Sequence, residues 1–123
     1  MSLVRKAITF RNPENNLSLT VTALVDSGST LTVLPRSDAE QLRLRSMGTR
    51  ELELADKSVV NWDVAVVQVD VVGRSAGATC AFGDTIAEPI LGVTALEQLG
   101  LAVDPVNEEL VPVRGRLGGV QFR

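Results

Sequence analysis

The chain has 123 residues, 45% of them hydrophobic and 3% aromatic, a net charge of −3 and no histidine. That length and apolar content suit one domain with a genuine core and exclude a disordered chain. Without histidine, Ser-His and Cys-His nucleophile systems and His-ligated metals are excluded, and the absence of a basic cluster argues against nucleic acid as a partner.

The single cysteine, Cys80, forms no internal disulfide and sits in the apolar run Ala78 to Phe82. It reads as a small buried hydrophobe. No apolar run approaches the length of a membrane span and the N-terminus lacks signal-peptide architecture, so the expectation is a cytoplasmic protein with no membrane partner. No metal or other cofactor is expected. Catalysis, if present, falls to carboxylates; a Ser-Lys pair is poorly supplied, with only Lys6 and Lys57 in the chain.

Val4 to Phe10 reads as a first strand and residues 11–16 as a turn. From Leu17 the pattern alternates strictly. Leu17, Leu19, Val21, Ala23 and Val25 share one face, with Ser18, Thr20 and Thr22 opposite. A strand with one buried face therefore ends at Asp26, and its register fixes where that carboxylate points. A tight Ser27-Gly28-Ser29 turn follows, then Leu31 to Leu34, stopped by Pro35. Ser37 and Glu40 have capping-box spacing and predict a short helix carrying Leu42 and Leu44, ended by Met47-Gly48.

Thr49 to Leu54 and Val59 to Val67 predict a hairpin with a polar tip at Ala55, Asp56, Lys57 and Ser58. An ordinary surface hairpin and a mobile lid both fit that pattern. Val67 to Val71 and Ala76 to Phe82 pair around a turn near Gly73. Pro89-Ile90-Leu91-Gly92 is a short apolar strand closed by glycine. Thr94 and Glu97 form a second capping box, and Gly100 stops the helix they open. Leu101 to Val103 and Leu110 to Val113 close the domain, which is taken as 1–113; the tail 114–123 reads as loosely held. The two halves correspond loosely: each has an apolar strand, a glycine turn and a helix.

Asp-Ser-Gly alone is an ordinary turn tripeptide. In context it is more. Ala23 to Thr30, then Thr32-Val33-Leu34-Pro35, a flap-like hairpin, and Ile90-Leu91-Gly92 before a helix resemble the retropepsin-like aspartic proteases from about Leu17 to Val113. The small cellular members in microbes are a better match than the viral enzymes. The resemblance implies an all-β fold of six or seven strands with one or two short helices, closed like half a barrel, and a C2 homodimer with one active site. It also implies an aspartic endopeptidase acting on extended peptide or protein substrates. Independently, aspartic proteolysis needs two carboxylates and the chain holds one Asp-Ser-Gly, so either a second copy donates the other Asp26 or the protein is not an enzyme.

By the same resemblance, Asp26 is catalytic and Ser27 ties the two motif loops together across the dimer. Gly28 admits close backbone approach, and Ser29 lies near the outer carboxylate oxygens. Ala55 to Ser58 match the flap tip, and Ile90, Leu91 and Gly92 the second loop packing beside the site. Three positions depart from the pattern. Asp56-Lys57 replaces glycine at the flap tip, and Leu31 stands where viral enzymes carry a substrate-binding acid. Val93-Thr94 replaces an Arg-Asn/Asp pair, which removes a contact to the motif loop. The altered flap leaves a non-catalytic dimerisation or peptide-binding module as the alternative. Trp62 reads as a packing or flap-shoulder residue.

Overall fold

A computed structural model describes residues 3–118, and strands dominate it. The strands are β1 (Val4–Arg11), β2 (Ser18–Val25), β3 (Thr32–Pro35), β4 (Thr49–Glu53), β5 (Val59–Val71), β6 (Arg74–Gly83), β7 (Ile90–Leu91), β8 (Leu101–Asp104) and β9 (Glu109–Pro112). Two short helices, α1 (Arg36–Gln41) and α2 (Val93–Leu99), interrupt them. Neither is long and apolar enough to cross a membrane.

Seven strands form one sheet in the order β1-β2-β7-β3-β6-β5-β4, and β1 also pairs with β5. That extra pairing closes six of the strands into a ring, with β4 attached outside it. The barrel-like closure expected from the resemblance is therefore present. One 13-residue strand makes it possible: β5 pairs β4 through 59–63, β6 through 64–71 and β1 through 68–70. The two segments read separately in the sequence are a single strand. Residues β8 and β9 form their own two-stranded sheet.

Alternation decides what enters the ring. On β2, burial deepens toward the Asp26 end: Leu17 is exposed, Leu19 and Val21 are half-buried, and Ala23 and Val25 are buried. The opposite face carries Thr20, whose hydroxyl meets that of Thr9 on β1 at 2.8 Å. Ile8, Phe10, Leu34, Val67, Val69, Cys80 and Leu91 fill the interior, with Leu96 and Leu99 of α2 packed against them. Cys80 is fully buried, and burial pushes its thiol up to about 12. A second, smaller cluster joins Leu31, Val33, Trp62, Val64 and Ala81 beneath the β4–β5 hairpin. Trp62 is thus a packing residue at the hairpin's base.

Both helices start without the capping boxes expected from the sequence. The N-cap of α1 is Pro35 and that of α2 is Gly92, and neither helix has a side-chain cap. Strand β3 includes Pro35, so helix follows strand directly and Ser37 already lies inside it. The first helix also ends earlier than expected, at Gln41, leaving Leu42 buried in the turn beyond it. Asn12 satisfies that end, its amide donating to the Leu42 and Arg43 carbonyls at 2.9 and 3.1 Å. Gly100 does stop α2, at φ +69°, and Arg74 donates to the Leu99 and Gly100 carbonyls there. Of the tail, 114–118 carry neither helix nor strand, and 119–123 lie outside the described residues.

The tightest point is Gly92. A Cβ there would lie 2.3 Å from the Leu31 carbonyl oxygen and 2.8 Å from that of Ser29, both backbone atoms. Gly92→Ala should therefore lose about 3 kcal/mol of unfolding free energy or fail to fold, at the severe end of overpacking. At Gly28 the nearest atom is Asp26 Oδ1, a side chain, at 3.1 Å. Gly28→Ala should accordingly cost less than about 1 kcal/mol; urea denaturation of both variants checks the order. Cys80, buried and un-ionised, should react with a thiol reagent no faster than the protein unfolds.

Candidate active site

Asp26 is the first residue past β2, and its own amide and carbonyl are both hydrogen-bonded. Its amide donates to the Leu91 carbonyl at 2.9 Å, extending the parallel β2–β7 pairing by one step. The Ser29 amide returns to the Asp26 carbonyl at 3.1 Å, which closes the turn. The Gly28 amide donates to Asp26 Oδ1 at 2.9 Å, so the loop orients its own carboxylate. The other carboxylate oxygen makes no hydrogen bond among the described residues. Asp26 is half-buried, whereas Ser27 and Gly28 are exposed. The Ser29 hydroxyl donates to the Leu31 carbonyl at 2.7 Å and braces the loop's exit rather than the carboxylate.

The second loop locks onto the first. Gly92 donates to the hydroxyl of Thr32 at 3.2 Å, and Thr32 is fully buried. Val93 donates its amide to Ser29 at 2.7 Å, and Thr94 donates both amide and hydroxyl to the Thr30 carbonyl at 3.2 and 2.7 Å. Thr94 thus makes its own contact to the motif loop, through hydroxyl and amide. The hydroxyl read as a helix cap serves the motif loop instead. Ile90 reaches the site, while Leu91 is fully buried behind it.

Above Asp26 stands the β4–β5 hairpin. The Lys57 amide donates to the Leu54 carbonyl and the Leu54 amide to the Ser58 carbonyl, a three-residue turn whose last position is left-handed. Lys57 occupies that position at φ +73°, where glycine would rest without strain. Asp56 accepts from the Ser58 amide and hydroxyl at 2.9 and 2.5 Å. The hydroxyl first, then the amide, hold its carboxyl below the usual range. At the hairpin's base, Arg36 pairs with Asp63 at 2.9 Å and also with Asp84. That guanidinium, helped by the Ser46 hydroxyl, holds the Asp63 carboxyl below the usual range.

Hairpin and loop enclose a cavity of about 550 Å³ bordered by Asp26, Gly28, Ser29, Val33, Ala55, Asp56, Lys57, Trp62, Ile86 and Ile90. The structure thus brings the motif loop and the hairpin tip to one space. Ser58 holds the turn from outside that lining. Sequence reasoning missed Ile86, Thr32 and Thr94. Ile86 lay in a loop without pattern, but a polar Thr32 in a buried run was a visible signal. Among the described residues no group of three or more His, Cys, Asp or Glu is placed to hold a metal ion. What the cavity offers is the Asp26 carboxylate at its floor, Glu53, Asp56 and Lys57 on the hairpin side, and an apolar wall of Val33, Trp62, Ile86 and Ile90.

Residues 14–95 match the family model described as aspartyl protease. Comparison with curated protein sequences finds no match. Among solved structures, the fold is similar to EIAV protease complexed with the inhibitor HBY-793, at a TM-score of 0.65 and 19% identity over 80% of this chain and 89% of that one. It is similar to the retroviral protease-like domain of Ddi1 from Leishmania major, at 0.59 and 14% identity over 91% and 89% of the two chains. A retropepsin-like aspartic protease from Rickettsia conorii gives 0.53 and 20% identity over 85% and 90%. With the family model spanning both loops and the hairpin, and the retropepsin fold around them, the chain belongs to the retropepsin-like aspartyl protease family.

Proposed function

We propose that this chain, through a domain spanning 1–113, is an aspartic endopeptidase that works as a C2 homodimer, each subunit contributing Asp26. The observation that carries the reading is the half-buried Asp26, fixed by Leu91 and Gly28 at the floor of a cavity roofed by the hairpin. Two carboxylates about 3 Å apart cannot both ionise, the aspartic proteases being the standard case, so the pair shares one proton. The ionised Asp26 takes a proton from a water molecule, whose oxygen attacks the peptide carbonyl carbon. The protonated Asp26 of the second subunit gives its proton to the carbonyl oxygen, forming a tetrahedral diol. Return of a proton to the amide nitrogen breaks the C–N bond, and no covalent enzyme intermediate forms.

Support for a second copy comes from the loop's other side. Asp26 and Ser27 also border an open cavity of about 420 Å³ walled by Leu3, Val4, Val103 and Pro105. Leu3 there is 57% exposed. The exposed Ser27 is free to meet its symmetry mate, and a two-fold axis beside it brings the carboxylates together. An extended substrate adds as a strand beneath the hairpin, where β4 is the sheet's edge and has one partner. A second reading, a peptide-binding dimer without catalysis, rests on the flap tip, where Lys57 in a left-handed conformation makes a stiffer turn than glycine would.

Asp26→Asn should reduce cleavage of an unfolded protein or peptide library by at least about a thousandfold, the scale of losing an acid–base pair. Equal mixing of wild type with Asp26→Asn, after subunit exchange, should leave about half the activity of the wild type added, because all-wild-type dimers are about a quarter of all dimers under random pairing. Peptide binding without cleavage anywhere between acid and neutral pH would favour the second reading. Lys57→Gly should raise stability by up to about 1 kcal/mol by relieving the left-handed residue, measured by urea unfolding.

A further inference from the structure

We propose that Arg50 makes the base of the hairpin a subsite for a carboxylate-bearing side chain of the bound peptide, Asp or Glu. This rests on reading the cavity beneath the hairpin as a peptide groove. Strand β4 alternates, and its register sets Arg50 opposite Trp62 and Leu52 opposite Val60. Arg50 therefore shares a strand face with Leu52, opposite that of Thr49, Glu51 and Glu53, and it is itself exposed. A position that the pattern makes apolar carries a guanidinium.

Its surroundings leave that charge without a partner. Arg50 borders two adjoining cavities of about 400 and 310 Å³, and Thr30 and Leu31 line both. Beyond it the smaller cavity meets only neutral polar groups, Thr79, Thr94 and Gln98. Glu51 and Glu53 border the larger one, yet among the described residues no carboxylate lies within salt-bridge distance of Arg50. By contrast, Arg5, Arg11 and Arg36 each hold an acid. A planar guanidinium beside an apolar wall is suited to accept a carboxylate on two parallel hydrogen bonds.

The opposite end of the groove carries Asp56 and Glu53 beside Lys57, and Asp56 stays ionised because Ser58 bonds to it. An acidic side chain is thus disfavoured beside Asp56 at the tip, and at the base it is favoured only where it meets Arg50, on the strand face opposite Glu51 and Glu53. The preference should fall at one peptide position rather than spread along the substrate.

The test compares peptides carrying Glu, Gln or Lys in turn at each position flanking a cleaved bond. Cleavage by wild type, Arg50→Gln and Arg50→Glu is measured as kcat/KM, and binding to Asp26→Asn, with and without each Arg50 change, as Kd. At one position Glu should exceed Gln by about tenfold in wild type, the scale of one charge-assisted contact. The ratio should fall to about one in Arg50→Gln, turn toward Lys in Arg50→Glu, and shrink with added salt in wild type. A Glu preference unchanged in Arg50→Gln, or none at any position, overturns the subsite. Arg50-dependent binding of the Glu peptide without any cleavage would uphold the subsite and overturn the endopeptidase. Cleavage without Arg50 dependence would do the reverse, and peptides neither bound nor cut would overturn both.

Discussion

Gly92 is where two chain segments pass closer than any side chain allows, and the geometry around Asp26 depends on that passage. β7 is two residues long and lies between β2 and β3, parallel to one and antiparallel to the other. So short a strand has few hydrogen bonds of its own; it is held by burying Leu91, worth about 1.5–3 kcal/mol, and by the bonds that radiate from the turn after it. The Asp26 amide, the Ser29 carbonyl, the Thr30 carbonyl and the Thr32 hydroxyl all find their partners within Leu91 to Thr94. Backbone groups that a loop would otherwise give to water are thereby satisfied inside the protein. A carboxylate on such a loop has little freedom to wander, as positioning at a reactive group requires.

Below and beside that crossing, the packing divides into two regions with different work. The ring interior, from Ile8 to Leu110, sets overall stability. The smaller cluster around Leu31, Trp62 and Val64 ties the hairpin's base to the strand leaving the motif loop. Leu52, Leu54 and Val60 pack against that cluster, and residues 55–59, around the tip, are exposed.

Much of this was legible in the sequence, for stated physical reasons. Period-two alternation from Leu17 to Val25 gave β2, its buried face and its endpoint, because register and side-chain direction are the same fact in a strand. Gly100 was readable as a stop because a left-handed residue at a helix end favours glycine. Ring closure through β1 and β5 was expected only through the resemblance, since nothing local in Phe10 or Val69 names a partner so distant in sequence. The capping boxes failed where tertiary geometry outranked local preference. Pro35 and Gly92 begin helices straight from strands, and Thr94 is turned toward Thr30. Arg50 was passed over because a charged residue in an exposed hairpin invites no question until the register shows which face it shares.

On the proposed reading, the most consequential feature is something Asp26 lacks within its own chain. Its one hydrogen bond comes from a backbone amide, and no second carboxylate or other acid–base side chain among the described residues engages it. One carboxylate without a shared proton cannot be acid and base in one turnover. Pairing with the same loop of a second subunit changes the electrostatics without changing a residue, since like charges at close range force one group to remain protonated. Assembly then creates the reactive state as well as the groove. If each subunit supplies one Asp26, activity depends on protein concentration, because dilution separates the two halves of the proton-sharing pair.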